Sequence, residues 1–201
     1  LYQQNTVRDA LVAGINLNLF NKNCDRVKMA NIAQMVNVLQ SVILTDGEKM
    51  LLTPTWHVFN MYKCHQDAEL VESCVETGLV GLEDEYQVPD LTESVSMGKD
   101  GKLHITMTNL SLDEDRQIEA VLAETTVKSV TGEILTGAMD AHNTFEASNE
   151  VHTVSFDGCK AEGGKITFTI PARSVDMCTL RDVTPTAAAS AFMEMVRQDA
   201  R

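Results

Sequence analysis

Two amides, Gln34 and Asn37, follow the apolar run Val27-Lys28-Met29-Ala30-Asn31-Ile32-Ala33. If that run is a strand of a parallel sheet, both amides lie at its carboxyl end, the edge where α/β enzymes place groups that touch substrate. A Gln buried to satisfy loop backbone groups is the competing reading. Other chemistry is poorly served. Glu83-Asp84-Glu85 and Asp113-Glu114-Asp115 sit in predicted loops without the spaced oxygen ligands and sharp glycine turn of a calcium loop, so they read as solvated loops. His57, His65, His104, His142 and His152 never fall four apart on a helix, which removes a zinc-hydrolase pattern, and His57 and His65 are expected to pack or hydrogen-bond within their helix. Cys24, Cys64, Cys74, Cys159 and Cys178 form no C-x-x-C pair and are odd in number, so buried or free thiols are expected and no metal site. There is no G-x-S-x-G, G-x-G-x-x-G or Walker loop, and the 10 methionines are spread as core filler.

The elements that must position these residues follow two periodicities. From an N-cap at Asn5 or Thr6, the residues Val7, Ala10, Leu11, Gly14, Ile15, Asn18 and Leu19 repeat at helical spacing, predicting a helix to about Asn21. Val27 to Ala33 is too short and too apolar for a surface helix and reads as a buried parallel strand. A loop holding Thr45-Asp46-Gly47-Glu48 follows. Thr53 as N-cap and Pro54 at the first helical position then open a helix carrying Trp56, Phe59, Met61 and Tyr62 and ending near His65. Helix, strand, helix cannot cover both faces of a parallel strand, so further elements are expected before Leu1.

Beyond Asp67 the period becomes two. Leu103, Ile105 and Met107 alternate with His104, Thr106 and Thr108; Ile118, Ala120 and Leu122 alternate with Gln117, Glu119 and Val121; Ile166, Phe168 and Ile170 alternate with Lys165, Thr167 and Thr169. Shorter strands are expected at Leu70 to Glu76, Val127 to Val130, Val151 to Phe156 and Val175 to Leu180, with turns at Lys99-Asp100-Gly101, Thr131-Gly132 and Glu162-Gly163-Gly164. About seven short strands make an antiparallel sandwich. The Ala-rich stretch from Ala187 to Arg201 favours a helix.

Composition narrows the partners. With 29 acidic against 16 basic residues and a net charge of −13, the chain's field repels phosphate backbones and anionic membranes, so no nucleic acid and no membrane is expected; a neutral substrate fits better. No apolar run approaches the roughly 20 residues that span a bilayer. Cysteines that read as buried or free thiols give only a mild preference for a reducing compartment, leaving both a cytoplasmic and an exported location open.

Three segments together carry a family resemblance. Asp25-Arg26-Val27-Lys28-Met29-Ala30-Asn31-Ile32-Ala33-Gln34-Met35-Val36-Asn37-Val38, then Leu44-Thr45-Asp46, then Thr53-Pro54-Thr55-Trp56-His57-Val58-Phe59 resemble the end of the catalytic barrel of α-L-arabinofuranosidases of glycoside hydrolase family fifty-one. Asn143-Thr144-Phe145-Glu146-Ala147-Ser148-Asn149 and Ile170-Pro171-Ala172-Arg173-Ser174-Val175 resemble that family's C-terminal sandwich. The resemblance runs from Leu1 to Asp182. It implies an α+β fragment: residues 1–66 as the last helix, strand and helix of a (β/α)8 barrel, with Val27 to Ala33 as its eighth strand, and residues 67–183 as a jelly-roll-like antiparallel β-sandwich; residues 184–201, outside the resemblance, read from composition as a helical tail.

The resemblance also implies a division of labour. The family's two catalytic glutamates lie in an Asn-Glu motif and an Asp-Glu-Trp motif after the fourth and seventh barrel strands, and this sequence has neither; its Asn149-Glu150 falls in the sandwich. No catalytic residue is therefore expected in this chain. Gln34 alone carries over, as the glutamine that hydrogen-bonds arabinose. An amide offers donor and acceptor to adjacent hydroxyls of a neutral pentose. The implied whole is a retaining exo-acting enzyme acting on arabinose-containing oligo- or polysaccharide, needing no cofactor and forming a homo-oligomer. The competing class is a non-catalytic carbohydrate-binding or structural sandwich, disfavoured because sugar platforms need exposed aromatic rings and the region offers only Tyr86, Phe145, Phe156 and Phe168.

Overall fold

A computed structural model describes residues 5–123, 125–162 and 164–185. Helix α1 spans Val7–Lys22 and helix α2 spans Pro54–Tyr62, continued by a 3-10 turn at Lys63–His65. The strands are β1 (Ile43–Asp46), β2 (Lys49–Leu52), β3 (Glu69–Val71), β4 (Leu79–Gly81), β5 (Gln87–Pro89), β6 (Leu91–Met97), β7 (Leu103–Asn109) and β8 (Arg116–Val121). They continue with β9 (Thr125–Thr126), β10 (Ser129–Thr136), β11 (Val154–Phe156), β12 (Lys160–Glu162), β13 (Lys165–Ile170), β14 (Ser174–Arg181) and β15 (Thr184–Pro185). The expected helix from Ala187 lies outside the described residues.

Two antiparallel sheets face each other. The larger has the order β11-β10-β14-β7-β6-β3 and the smaller β12-β13-β8. Between them lies one apolar core, in which Leu103, Ile105, Met107, Cys178 and Leu180 from the larger sheet meet Ile166, Phe168 and Ile170 from the smaller. The alternation read along β7, β8 and β13 is thus the inward face of each strand.

The outward face of the larger sheet is covered too. α1 and α2 lie across it, and Val7, Ala10, Leu11 and Leu17 of α1 with Val58, Met61 and Tyr62 of α2 close a second core over Leu135 and Val175. Gly14 lets α1 approach closely, because a Cβ there would stand 2.5 Å from the Thr108 hydroxyl. The helices, read from sequence as flanking a parallel strand that needs further elements to cover it, pack instead on the sandwich.

That covering buries polar side chains which the period-two pattern assigns to solvent. Thr106 and Thr108 are fully buried beneath the helices. Asn18 organises them: its Oδ1 accepts from the Tyr62 hydroxyl (2.9 Å), the Ser94 hydroxyl (2.9 Å) and the Thr106 hydroxyl (2.9 Å), while its Nδ2 donates to Thr92 Oγ1 (3.0 Å). His65 bonds across to the sheet rather than within its helix, with Nδ1 2.7 Å from Ser96 Oγ and Nε2 2.9 Å from Thr106 Oγ1.

Burial, with a smaller push from His104, lowers the His65 imidazole from its ordinary 6.5 to about 4. The unfolded chain binds a proton near pH 6.5 that the folded chain refuses until about pH 4, so stability rises with pH in that window. The contribution is complete above pH 6.5 and lost as pH falls towards 4, by on the order of 2–3 kcal/mol. Urea unfolding between pH 6.5 and 4 should therefore show a shallower pH dependence for His65→Gln than for the parent. Equal slopes would mean that the imidazole titrates alike in both states. Asp176 acts in the opposite sense: burial raises its carboxyl to about 8, so its contribution is complete below pH 4 and lost as pH rises towards 8.

Several expectations need correction. Residues 27–33 form no strand, because a parallel strand takes its ladder from neighbours and the chain places none beside it. The expected loop after it instead holds the hairpin β1–β2, paired from Ile43↔Leu52 to Asp46↔Lys49. The candidate at Leu70 to Glu76 shortens to β3, and Leu91–Met97, not expected at all, is the seven-residue partner of β7. The Glu83-Asp84-Glu85 cluster is the exposed tip of the β4–β5 hairpin, as a solvated loop should be.

Candidate functional site

The loop from Asn23 to Val42 connects α1 to the first hairpin and carries Gln34. Three of its non-glycine residues adopt left-handed backbone: Gln34 (φ 66°), Asn37 (φ 55°) and Gln40 (φ 63°). Such residues each cost roughly 1 kcal/mol and persist where surrounding contacts determine them. The contacts are explicit. Val42 and Ile43 N–H groups both donate to Met35 O (3.1 Å each), and Asn37 N–H donates to Ile43 O (3.1 Å). The Asn37 side chain brackets Thr45, accepting from its N–H at 2.7 Å and donating to its hydroxyl at 2.7 Å. Gln40 Nε2 donates to Asp9 Oδ1 at 3.1 Å, tying the loop to the first turn of α1. Burial raises the Asp9 carboxyl, but hydrogen bonds from Thr6 and Gln40 outweigh it and hold the group below the usual carboxylate range.

α2 supplies the opposite wall. Thr53 caps it, accepting from Trp56 N–H, while its own hydroxyl reaches Ser41 O (3.1 Å) and so locks the helix start to the loop end. Trp56, Phe59 and Asn60 then fall on one face at i, i+3 and i+4. Facing them across a cleft of about 400 Å³ are Ala30, Ile32, Gln34 and Met35. Gln34 is exposed on the rim, so the reading of a buried, structurally satisfied Gln does not hold.

The cleft therefore offers aromatic and aliphatic walls with amides from Gln34, Asn31 and Asn60, and none of its lining residues is ionisable. That suits a neutral polyhydroxyl ligand and supplies no acid, base or nucleophile. Among the described residues no group of three or more His, Cys, Asp or Glu could hold a metal ion, and no helix is long and apolar enough to cross a membrane. Gln34 and Asn37 lie in one loop, but only Gln34 faces the cleft; Asn37 is spent on Thr45. The Trp56 and Phe59 wall was not assigned from sequence, although their helical spacing was legible.

The fold recurs in solved structures. Residues 1–174 match the model of the α-L-arabinofuranosidase C-terminal domain. The chain belongs to this family. A relative from Bacteroides ovatus described as an intracellular exo-alpha-L-arabinofuranosidase is 44% identical over 176 residues, covering 87% of this chain and 34% of its own length. An exo-alpha-(1->6)-L-arabinofuranosidase from Bifidobacterium longum is 26% identical, covering 81% of this chain and 32% of its own. The GH51 arabinofuranosidase of Xanthomonas axonopodis pv. citri superposes with a TM-score of 0.85 at 41% identity, over 90% of this chain and 37% of that one. The α-L-arabinofuranosidase of Thermotoga maritima, solved as an arabinose complex, gives 0.74 at 25% identity over 87% and 38%. The chain spans about a third of the length of these relatives. As an arabinofuranosidase C-terminal domain, it is α+β, with mostly antiparallel sheets and two helices.

Proposed function

We propose that this chain is the C-terminal part of a retaining, exo-acting α-L-arabinofuranosidase that removes terminal arabinofuranosyl residues from arabinan, arabinoxylan or arabino-oligosaccharides. The 44% identity to the Bacteroides ovatus enzyme over 87% of the chain carries this reading. In it, residues 1–66 close the (β/α)8 barrel, and residues 27–33 join the barrel sheet once its other strands stand beside them. Residues 67–183 form a jelly-roll-like sandwich that braces the barrel, with 184–201 a tail. Met29 (75% exposed), Met35 (65%) and Leu39 (55%) all lie on the loop that would meet the remaining barrel, which supports its being covered there. The whole enzyme is a homo-oligomer in this reading.

Hydrolysis with retention uses two carboxyl groups about 5–5.5 Å apart, one as acid/base and one as nucleophile, through a covalent arabinosyl-enzyme intermediate. Both come from elsewhere in the protein. Gln34 binds and orients the sugar: its amide N–H donates to one ring hydroxyl and its carbonyl accepts from the next, fixing the anomeric carbon relative to the nucleophile. No cofactor enters this chemistry.

In the full-length enzyme, Gln34→Ala should lower kcat/KM by on the order of 1–3 kcal/mol, about 5- to 150-fold, while leaving thermal stability near that of the parent. The side chain is exposed and supports no core. Initial-rate kinetics on an aryl arabinofuranoside measure it, and an unchanged kcat/KM would assign Gln34 to shaping the loop alone. The alternative of a non-catalytic sandwich module has less support: among the described residues of the sandwich Phe168 is buried in the core and only Tyr86 stands fully out, at 86% exposed, so they present no flat aromatic platform.

A further inference from the structure

Two of the five cysteines meet across the sandwich. Cys178 lies on β14, 1% exposed in the core between the sheets. Cys159 lies in the short link from β11 in the larger sheet to β12 in the smaller and is half-buried. Their Sγ atoms are 3.2 Å apart, closer than non-bonded sulfurs normally sit, and both are thiols.

The local sequence builds this approach. Gly132 on β10 stands opposite both Phe156 on β11 and Cys178 on β14, and a Cβ on it would come within 2.8 Å of the Phe156 ring. Gly158 passes over the other side of that ring, where a Cβ would come within 2.7 Å. With glycine at both places, the link folds over Phe156 and delivers Cys159 to Cys178.

From this geometry we infer that Cys159 and Cys178 form a reversible dithiol–disulfide site that reacts with small disulfides of the glutathione class. The Cys159 thiolate attacks one sulfur of glutathione disulfide; that S–S bond breaks, and one glutathione leaves with the proton that Cys159 gave up. Cys178 then attacks Cys159 Sγ in the mixed disulfide, the Cys159–Cys178 bond forms, and the second glutathione leaves with the Cys178 proton. Two electrons pass from the cysteine pair to glutathione disulfide, which becomes two thiols. The order of attack follows from the surroundings: the contact with Cys178 pulls the Cys159 thiol down, while the same contact and burial push Cys178 up, so the accessible partner is the better first nucleophile.

The bond would tie the β11–β12 link to β14 across a 19-residue separation. Closing a loop of that size in the unfolded chain should raise Tm by roughly a few °C in the full-length protein, whose greater length dilutes the shift. Cys74, in the sandwich part of the chain, is exposed and serves as an internal control for reagent access.

The test incubates the folded full-length protein in glutathione buffers of graded oxidation, quenches with acid, alkylates and maps peptides by mass spectrometry. The expected result is a Cys159–Cys178 linked peptide pair that reverts under dithiothreitol, with a Tm increase over the reduced protein. Cys159→Ser, placed in a link rather than the core, should keep the reduced protein's Tm and lose both the linked pair and the increase; Cys178→Ala should lose the linked pair as well. Two outcomes overturn the inference: a stable glutathione adduct on Cys159 with no linked pair, or both thiols still free under conditions that modify Cys74.

Discussion

Full-length protein should release arabinose from an aryl α-L-arabinofuranoside, whereas residues 1–201 by themselves should not. Retaining hydrolysis needs an acid/base and a nucleophile held on either side of the glycosidic bond, and enzymes gain at least about a million-fold over the uncatalysed reaction from such groups and their surroundings. The Gln34 cleft contains neither: amides, aromatic rings and aliphatic side chains line it, and amides do not exchange protons or attack a sugar at neutral pH. The sequence agrees, since Asn149-Glu150 lies beyond β10 in the sandwich and no Asp-Glu-Trp occurs. The effect is close to all-or-none. Matched assays at equal molar concentration check it, and turnover by the isolated chain within about a hundredfold of the full-length rate would mean that the carboxylates are here after all.

Asn18→Ala should be the most damaging single substitution in the layer between the helices and the sheet, costing about 2–4 kcal/mol. Asn18 is 1% exposed and its carbonyl is the shared acceptor of three hydroxyls from Tyr62, Ser94 and Thr106, on three different elements. Truncation leaves a cavity and removes the acceptor that those buried hydroxyls share. Tyr62→Phe offers the contrast. It removes only one hydroxyl and leaves Asn18 its other partners, so it should cost about 1 kcal/mol. Urea unfolding of the two variants separates a shared hub from a set of independent pairs. If Asn18→Ala cost no more than Tyr62→Phe, the network would be energetically redundant.

Much of this fold was written in local pattern. β7, β8 and β13 alternate because one face of each must meet the other sheet, and that period survives any detail of packing. α2 was legible from Thr53 and Pro54, since capping and a proline at the first turn act within a few residues of chain. β6 was missed although Leu91, Val95 and Met97 alternate properly, because Glu93 interrupts the inward side and serines dilute the outward one. The hairpin β1–β2 was missed because four-residue strands carry too few alternations to register, even with Asp46-Gly47 at the turn.

Local pattern in the sequence is enough for the sandwich strands, the two helices and the place of Gln34 after an apolar run. Each of these depends on neighbours a few residues away or on residue identity alone. Only the tertiary structure decided that Thr106 and Thr108 are buried rather than solvated, since a threonine on the outer face of a strand looks the same whether water or a helix bearing Asn18 lies above it. It alone placed Gln34, Asn37 and Gln40 in left-handed backbone, because that conformation is disfavoured for each residue separately and is held only by bonds to Met35, Thr45 and Asp9. It alone brought Cys159 to Cys178, which lie 19 residues apart and meet because the link after β11 folds over Phe156.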